Sequence, residues 1–258
     1  MALDHKFSED VLAYISDNRG FRSGGYNGQN PSNAPYKPEL LDAYEIGLKS
    51  EWLDHTLRLN AATFYYNYKD IQVTQYGATS TIYNGAAAEL YGLDLDAEAK
   101  LGNLRLAGGV EWMHNKFTSF PDASISSPIP GGGASVAYAS AAGNRLPYAP
   151  NLTFDLSGDY IVALPAGNLD FNVTNSYNDG YPAEPDNVLH QPAFDTLNSS
   201  ITWNSSDRKY DVKLWATNLL DKAVASLLYT AVPLGYNAIY GNPPRTFGIT
   251  ASYKFGHE

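Results

Sequence analysis

The 258-residue sequence predicts an all-β fold, an antiparallel up-and-down transmembrane β-barrel segment of about ten long strands. Three observations point there. About ten segments alternate apolar and polar residues with the period of two that a pleated strand imposes. Their connections are alternately short and long, as in membrane barrels with short turns on one side and long loops on the other. Across 91–114, 152–177 and 209–255, the apolar wall carries no Asp, Glu, Lys or Arg over a membrane-length stretch.

The segments follow in order. VLAYISDNRGFR (11–22) is the first, and a Gly-, Asn- and Pro-rich stretch runs from it to residue 40. AYEIGLKSEW sets Tyr44, Ile46, Leu48 and Trp52 against Glu45, Lys49 and Glu51, then turns at LDH. Residues 56–73 set Leu57, Leu59, Ala61, Tyr65, Ile71 and Val73 against Arg58, Asn60, Tyr66 and Asp70. The 77–82 link is the one short connection where a long loop is expected.

YGLDLDAEAKL (91–101) alternates without a slip: Tyr91, Leu93, Leu95, Ala97, Ala99 and Leu101 oppose Gly92, Asp94, Asp96, Glu98 and Lys100. A one-residue register error would turn the charges to hydrocarbon, at roughly 2–4 kcal/mol for a mid-membrane Lys and less for each acid. After Gly102-Asn103, the next segment opposes Leu104, Leu106, Val110 and Trp112 to Arg105 and Glu111, with a bulge expected at Gly108-Gly109. A long loop covers 118–146. NLTFDLSGDYIV and LDFNVTNSY form a pair around LPAGN, and a long loop follows at 178–192. Segment 193–203 ends at Trp203, SSDRK turns, and Tyr210, Val212, Leu214 and Ala216 oppose Asp211 and Lys213. After the loop at 218–243, TFGITASYKF sets Phe247, Ile249, Ala251, Tyr253 and Phe255 against Thr250, Ser252 and Lys254. Trp52, Tyr160, Trp203, Tyr210, Tyr253 and Phe255 lie near the short turns or the C-terminus, where an interfacial girdle belongs.

Composition narrows the function classes. Twenty Tyr, ten Phe and four Trp suit strands and girdles, and the absence of Cys excludes disulfides and thiolate metal sites. A net charge of −10 without a basic patch argues against nucleic acid. MALDHKFSED lacks the pattern of a secretory signal, and no stretch has the eighteen or so apolar residues of a membrane helix.

The segments YISDNRGFRSGGYN, AYEIGLKSEWLDHTLRLNAATFYYNYKDIQV, NRLPYAPNLTFDLSGDY, LWATNLLDK and PPRTFGITASYKF resemble, in order and spacing, the C-terminal half of the barrel of TonB-dependent outer-membrane receptors. The most specific pieces are EIGLKSE, the element Asn218, Leu219 and Asp221, and the terminal PRTFG strand. The resemblance implies a piece of a 22-stranded importer in the bacterial outer membrane, in contact with its lipid. Extracellular loops capture a ferric siderophore, haem, cobalamin or carbohydrate, and an energy-coupling inner-membrane complex acts through an N-terminal plug. On this reading residues 1–258 are one partial barrel of C-terminal strands. Plug and first barrel half are missing, and the segment alone is inactive. The strands then form a curved open sheet rather than a small closed barrel. A departure from the family's terminal aromatic is the Gly256-His257-Glu258 that follows Phe255.

No enzyme, cofactor or metal is expected. His5, His55, His114, His190 and His257 are scattered as turn, rim or lumen residues, and Asp94 and Asp96 read as a solvated wall. DLDAEAKL lacks the Gly and Glu of a calcium loop, and Gly131 to Gly133 read as a loop tip. Ligand candidates lie on the long loops: Tyr26, Asn27, Tyr36, Tyr138, Asn144, Arg145, Tyr181, Tyr229, Tyr236 and Tyr240. Two alternatives stay open. One is a self-contained ten-stranded outer-membrane hydrolase with a serine beside a rim histidine; the other is a soluble β-barrel binding protein with its apolar wall inward.

Overall fold

The computed structural model describes residues 1–29, 31–76, 80–131, 133–231 and 236–255. Gly132 and the terminal Gly256-His257-Glu258 lie outside the described residues. The main sheet is built from β1 (Ala2–Lys6), β2 (Val11–Arg22), β3 (Glu39–Trp52), β4 (Leu57–Tyr76), β5 (Ser80–Leu101), β6 (Leu104–Ser119), β9 (Leu152–Leu164), β10 (Gly167–Pro182), β11 (His190–Ser205), β12 (Tyr210–Thr217) and β15 (Thr246–Tyr253). Each pairs antiparallel with its predecessor in this order, and β1 and β15 are the two free edges of an open sheet. Two hairpins sit inside the long loops: β7 (Ala123–Pro128) with β8 (Ala134–Ala139), and β13 (Ala225–Ala231) with β14 (Tyr236–Gly241).

Short turns at 7–10, 53–56, 102–103, 165–166 and 206–209 gather at one end, and the connections at 23–38, 120–151, 183–189 and 218–245 at the other. The 77–82 exception has a structural cause. β4 and β5 are the longest strands, at 20 and 22 residues, and their pairing continues to Tyr76↔Ser80, so height that other pairs build as loop is here built as hairpin.

Four sequence expectations need correction. Ala2–Lys6 is an eleventh strand, whose five residues are too few to show a period above the noise. The expected loop at 178–192 shrinks to 183–189, because Asn178↔Phe194 through Pro182↔His190 remain paired despite two prolines. No bulge interrupts Gly108-Gly109, which stay in register with Ala97 and Asp96 on one side and Leu156 and Asp155 on the other. A bulge falls instead at Lys69-Asp70, where the β4–β5 register jumps between Tyr68 and Ile71 and Asp70 takes φ +52°. The extra residue flips the faces. Ile71 and Val73, expected on the apolar wall, pack with Tyr68, Ala86, Ala88, Phe117 and Phe120 in a cluster on the opposite side.

The two walls meet different surroundings. On the apolar wall Ile46 is 57% exposed, Leu93 and Leu95 41%, Leu156 54% and Ile249 73%. The polar wall buries Glu98 between Arg58 and Arg105, at 2.6 and 2.8 Å, and Glu39 beneath the Tyr68 hydroxyl at 2.6 Å. A soluble barrel would reverse this, so the inward-facing alternative fails.

Aromatic rows bound the apolar wall at two heights. Near the turns, Tyr210 packs at a tilt on Tyr253, which meets Phe255, and Trp52 and Tyr160 are half exposed towards the turn ends of β3 and β9. Towards the loops stand Tyr44 against Tyr65, Tyr91 against Trp112 and His114, and Phe154 against Tyr177. Trp52 and Tyr44 share a face of β3 eight residues apart, about 26 Å along a strand. Tilted by roughly 40°, that spans about 20 Å of height, near the apolar band of a membrane barrel. Charges return above the upper row: Asp42 is held by Arg19 and by Lys69 Nζ at 3.0 Å, and Glu89 by Lys116 at 2.9 Å.

Candidate ligand-binding rim

The rim begins where loop 23–38 crosses the β4–β5 hairpin. Gly25 and Tyr36 exchange backbone hydrogen bonds of 3.0 and 2.9 Å and pinch this loop at its base. Asn27, 5% exposed, extends the sheet with its side chain: Oδ1 accepts from the Ile82 N–H at 2.7 Å and Nδ2 donates to the Ile82 carbonyl at 3.0 Å. Asn33 Nδ2 donates to Thr81 Oγ1, Gln29 Oε1 accepts from Ser80, and Asn84 and Lys37 bond each other across the same seam.

Loop 183–189 locks its neighbours together. The Asp186 carboxylate accepts from the Ser126 N–H and hydroxyl, tying down β7. Asn187, at φ +58°, exchanges bonds with the Arg145 backbone, and Glu184 accepts from the Thr230 N–H and hydroxyl on β13. Tyr148, also left-handed at φ +55°, points its hydroxyl at the Leu228 carbonyl 3.1 Å away. Arg145 Nη2 donates to the Ala149 and Gly180 carbonyls at 2.9 and 3.1 Å, while its buried Nε has no partner among the described residues.

The candidates separate by surroundings. Asn27, Asn144, Arg145 and Tyr181 are spent on the scaffold: Asn144 donates to the Pro185 carbonyl, and Tyr181 packs on Tyr148 at 5.3 Å. Tyr36 pinches its own loop, and Tyr26 and Tyr138 are 80% and 49% exposed on separate loops. Tyr229, Tyr236 and Tyr240 come together. The β13–β14 register pairs Leu227↔Tyr240, Tyr229↔Ala238 and Ala231↔Tyr236, which puts all three tyrosines on one face. Tyr229 and Tyr240 stack with ring centroids 6.5 Å apart, and the Tyr240 hydroxyl raises the Tyr229 phenol above its ordinary pKa. Leu228 and Thr230, on the opposite face, are buried against the neighbouring loops. The hairpin thus holds a phenol-rich surface on a fixed support.

Residues 2–219 match the family model described as TonB dependent receptor-like, beta-barrel. The chain belongs to this receptor β-barrel family. Among curated proteins, the pesticin receptor of Yersinia pestis is 25% identical over 266 aligned residues, covering 99% of this chain and 35% of the relative. Among solved structures, the ferric yersiniabactin uptake receptor FyuA of Yersinia pestis superposes with a TM-score of 0.81 at 21% identity, covering 99% of this chain and 37% of that one. The siderophore receptor PiuA of Acinetobacter baumannii gives 0.75 at 21%, covering 97% and 34%. The chain therefore spans about a third of the length of these relatives, a partial receptor barrel, as its open sheet shows independently.

Sequence reading missed polar side chains that organise the receptor rim: the acceptors Glu184, Asp186 and Gln191 and the donors Asn187 and Tyr148. Pro flanking Glu184 and Asp186 marks a constrained loop, which was the available signal. His5 lies edge-on to Phe7, His114 against Tyr91, and His190 reaches the Val188 carbonyl, none of them the serine-beside-histidine arrangement of a rim hydrolase. Among the described residues, the one group with three metal-ligating side chains lies at the turn end, away from the rim.

Proposed function

We propose that this receptor barrel segment, residues 1–258 as one unit, sits in the bacterial outer membrane as the C-terminal strands of an importer of ferric siderophores. The observation that carries the reading is the tyrosine face of Tyr229, Tyr236 and Tyr240, mounted on interlocked loops at the end opposite the short turns. Rigid aromatic surface of this kind grips a large, partly apolar chelate at small entropic cost. The apolar wall between two aromatic rows supports a position in lipid. The likeness to the ferric yersiniabactin receptor FyuA and the siderophore receptor PiuA supports a siderophore as cargo. Import is driven by the inner-membrane energy-coupling complex acting through a plug supplied by the remainder of the parent receptor. Haem, cobalamin and carbohydrate are the competing cargoes, and no catalytic step is involved.

The test is growth under iron limitation of a receptor-deficient strain carrying the parent receptor, supplied with individual ferric siderophores. At least one should restore growth, and the paired change Tyr229→Ala and Tyr240→Ala should raise the concentration needed about tenfold or more, as expected for two aromatic contacts. The 258-residue segment alone should restore none. Growth restored by haem or cobalamin and by no siderophore would reject the assigned cargo.

A further inference from the structure

We propose that Asp10, Glu51 and His55 form a binding site for a divalent first-row transition cation on the short-turn face of the sheet. The site lies at the end opposite the rim and does not rest on the import reading.

Backbone pairing creates the site. Asp10 and Glu51 directly precede and follow the pair Val11↔Ser50, and the Glu51 N–H donates to the Asp10 carbonyl at 2.9 Å. Two carboxylates therefore stand opposite each other, one at the end of the 7–10 turn and one on β3, an arrangement that is destabilising without a shared counter-charge. No Lys or Arg among the described residues forms an ion pair with either. Among the described residues, both carboxylates pair with His55, whose Nδ1 lies 2.5 Å from Glu51 Oε2 and 3.7 Å from Asp10 Oδ1.

The turn aims the imidazole. Leu53, Asp54 and His55 take φ +55°, +54° and +62°, three left-handed residues in a row, which fold the chain back so that His55 returns over Glu51. One oxygen from each acid and one ring nitrogen all lie within 4.8 Å of one another. Ligands on one zinc ion, at about 2.0–2.2 Å each, stand roughly 3–4 Å apart, so small rotations of exposed side chains close the set. The chemistry selects the ion. Imidazole with carboxylates suits zinc and its neighbours, whereas calcium takes six to eight oxygens. A protonated imidazole balances one of the two negative charges; a divalent cation balances both. Three protein ligands leave the remaining positions to water.

The experiment uses the full chain folded in detergent, freed of metal with a chelator and titrated with zinc chloride by calorimetry. Saturable one-to-one binding is expected. His55→Asn keeps a residue that tolerates the left-handed turn, so it should fold with the wild-type gel mobility and yet bind about tenfold or more weakly, as should Glu51→Gln. His190→Asn, which alters a rim histidine, should bind like wild type. Absence of saturable binding, or binding that survives both His55→Asn and Glu51→Gln, overturns the proposal and leaves an adventitious ion only.

Discussion

Replacing Asn27 with alanine removes a side chain that acts as a strand edge. Three contacts go: Oδ1 from the Ile82 N–H at 2.7 Å, Nδ2 to the Ile82 carbonyl at 3.0 Å, and a long Nδ2 contact to the Ala34 carbonyl at 3.4 Å. Two good hydrogen bonds are worth about 1 kcal/mol each, and leaving their partners in a site as buried as Asn27 raises the loss to about 2–3 kcal/mol. That sum sets the exchange rates, since every 1.4 kcal/mol is tenfold: the Ile82 amide should exchange about 30 to 150 times faster. The loss should stay local. Amides of β4 between Leu57 and Tyr66, paired on both sides by β3 and β5, should keep their protection. Hydrogen exchange with mass readout on the chain in detergent resolves the two regions. Unchanged protection at Ile82, or an equal fall at Leu57–Tyr66, would refute the claim that Asn27 holds its stretch of this seam independently of the sheet.

Three further outcomes follow from the geometry. Tyr148→Phe removes the hydroxyl bonded to the Leu228 carbonyl, so amides of β13 and β14 should exchange about fivefold faster, the effect of about 1 kcal/mol, with the main sheet unaffected. Asp70→Val should cost about 1–2 kcal/mol in urea unfolding followed by gel mobility, because φ +52° crowds a branched side chain, whereas Asp70→Gly should cost nothing or stabilise. In the turn at 206–209, the Ser205 hydroxyl at 2.6 Å holds the Asp207 carboxyl below its ordinary pKa of 3.8. Its stabilising contribution is complete above the unfolded value and disappears as pH falls through the lower folded one; Ser205→Ala should move the carboxyl titration, followed by carbon NMR, back upward.

Legibility in the sequence followed periodicity. Tyr91 to Leu101 announced both walls because nothing interrupts the alternation, and the paired strands keep that register. Ile71 and Val73 were misplaced because one extra residue at Asp70 inverts the parity, and nothing in KDI distinguishes a bulge from a strand. Gly108-Gly109 suggested a bulge by composition, yet glycine there serves packing: a side chain at Gly108 would meet Leu156. The upper aromatic row escaped notice because Tyr44, Tyr91 and Trp112 lie far from any turn in sequence and become a row only when staggered strands align. Tyr229, Tyr236 and Tyr240 were identifiable as loop aromatics, but their common face depends on the β13–β14 register. The scaffold bonds of Asn27 and Arg145 were not legible, because polar groups with several hydrogen-bonding atoms suit scaffold and ligand contact alike.

The direction in which the apolar wall faces supports every later step, and the chain's lack of cysteine makes it directly measurable. Single cysteines placed in turn at 92 to 99, spin-labelled in lipid bilayers, report collision with oxygen, which concentrates in hydrocarbon, and with a water-soluble nickel chelate. Labels at 93, 95, 97 and 99 should be struck by oxygen, and those at 92, 94, 96 and 98 by nickel, with a period of two. The opposite phase, or nickel access at every position, would contradict the account.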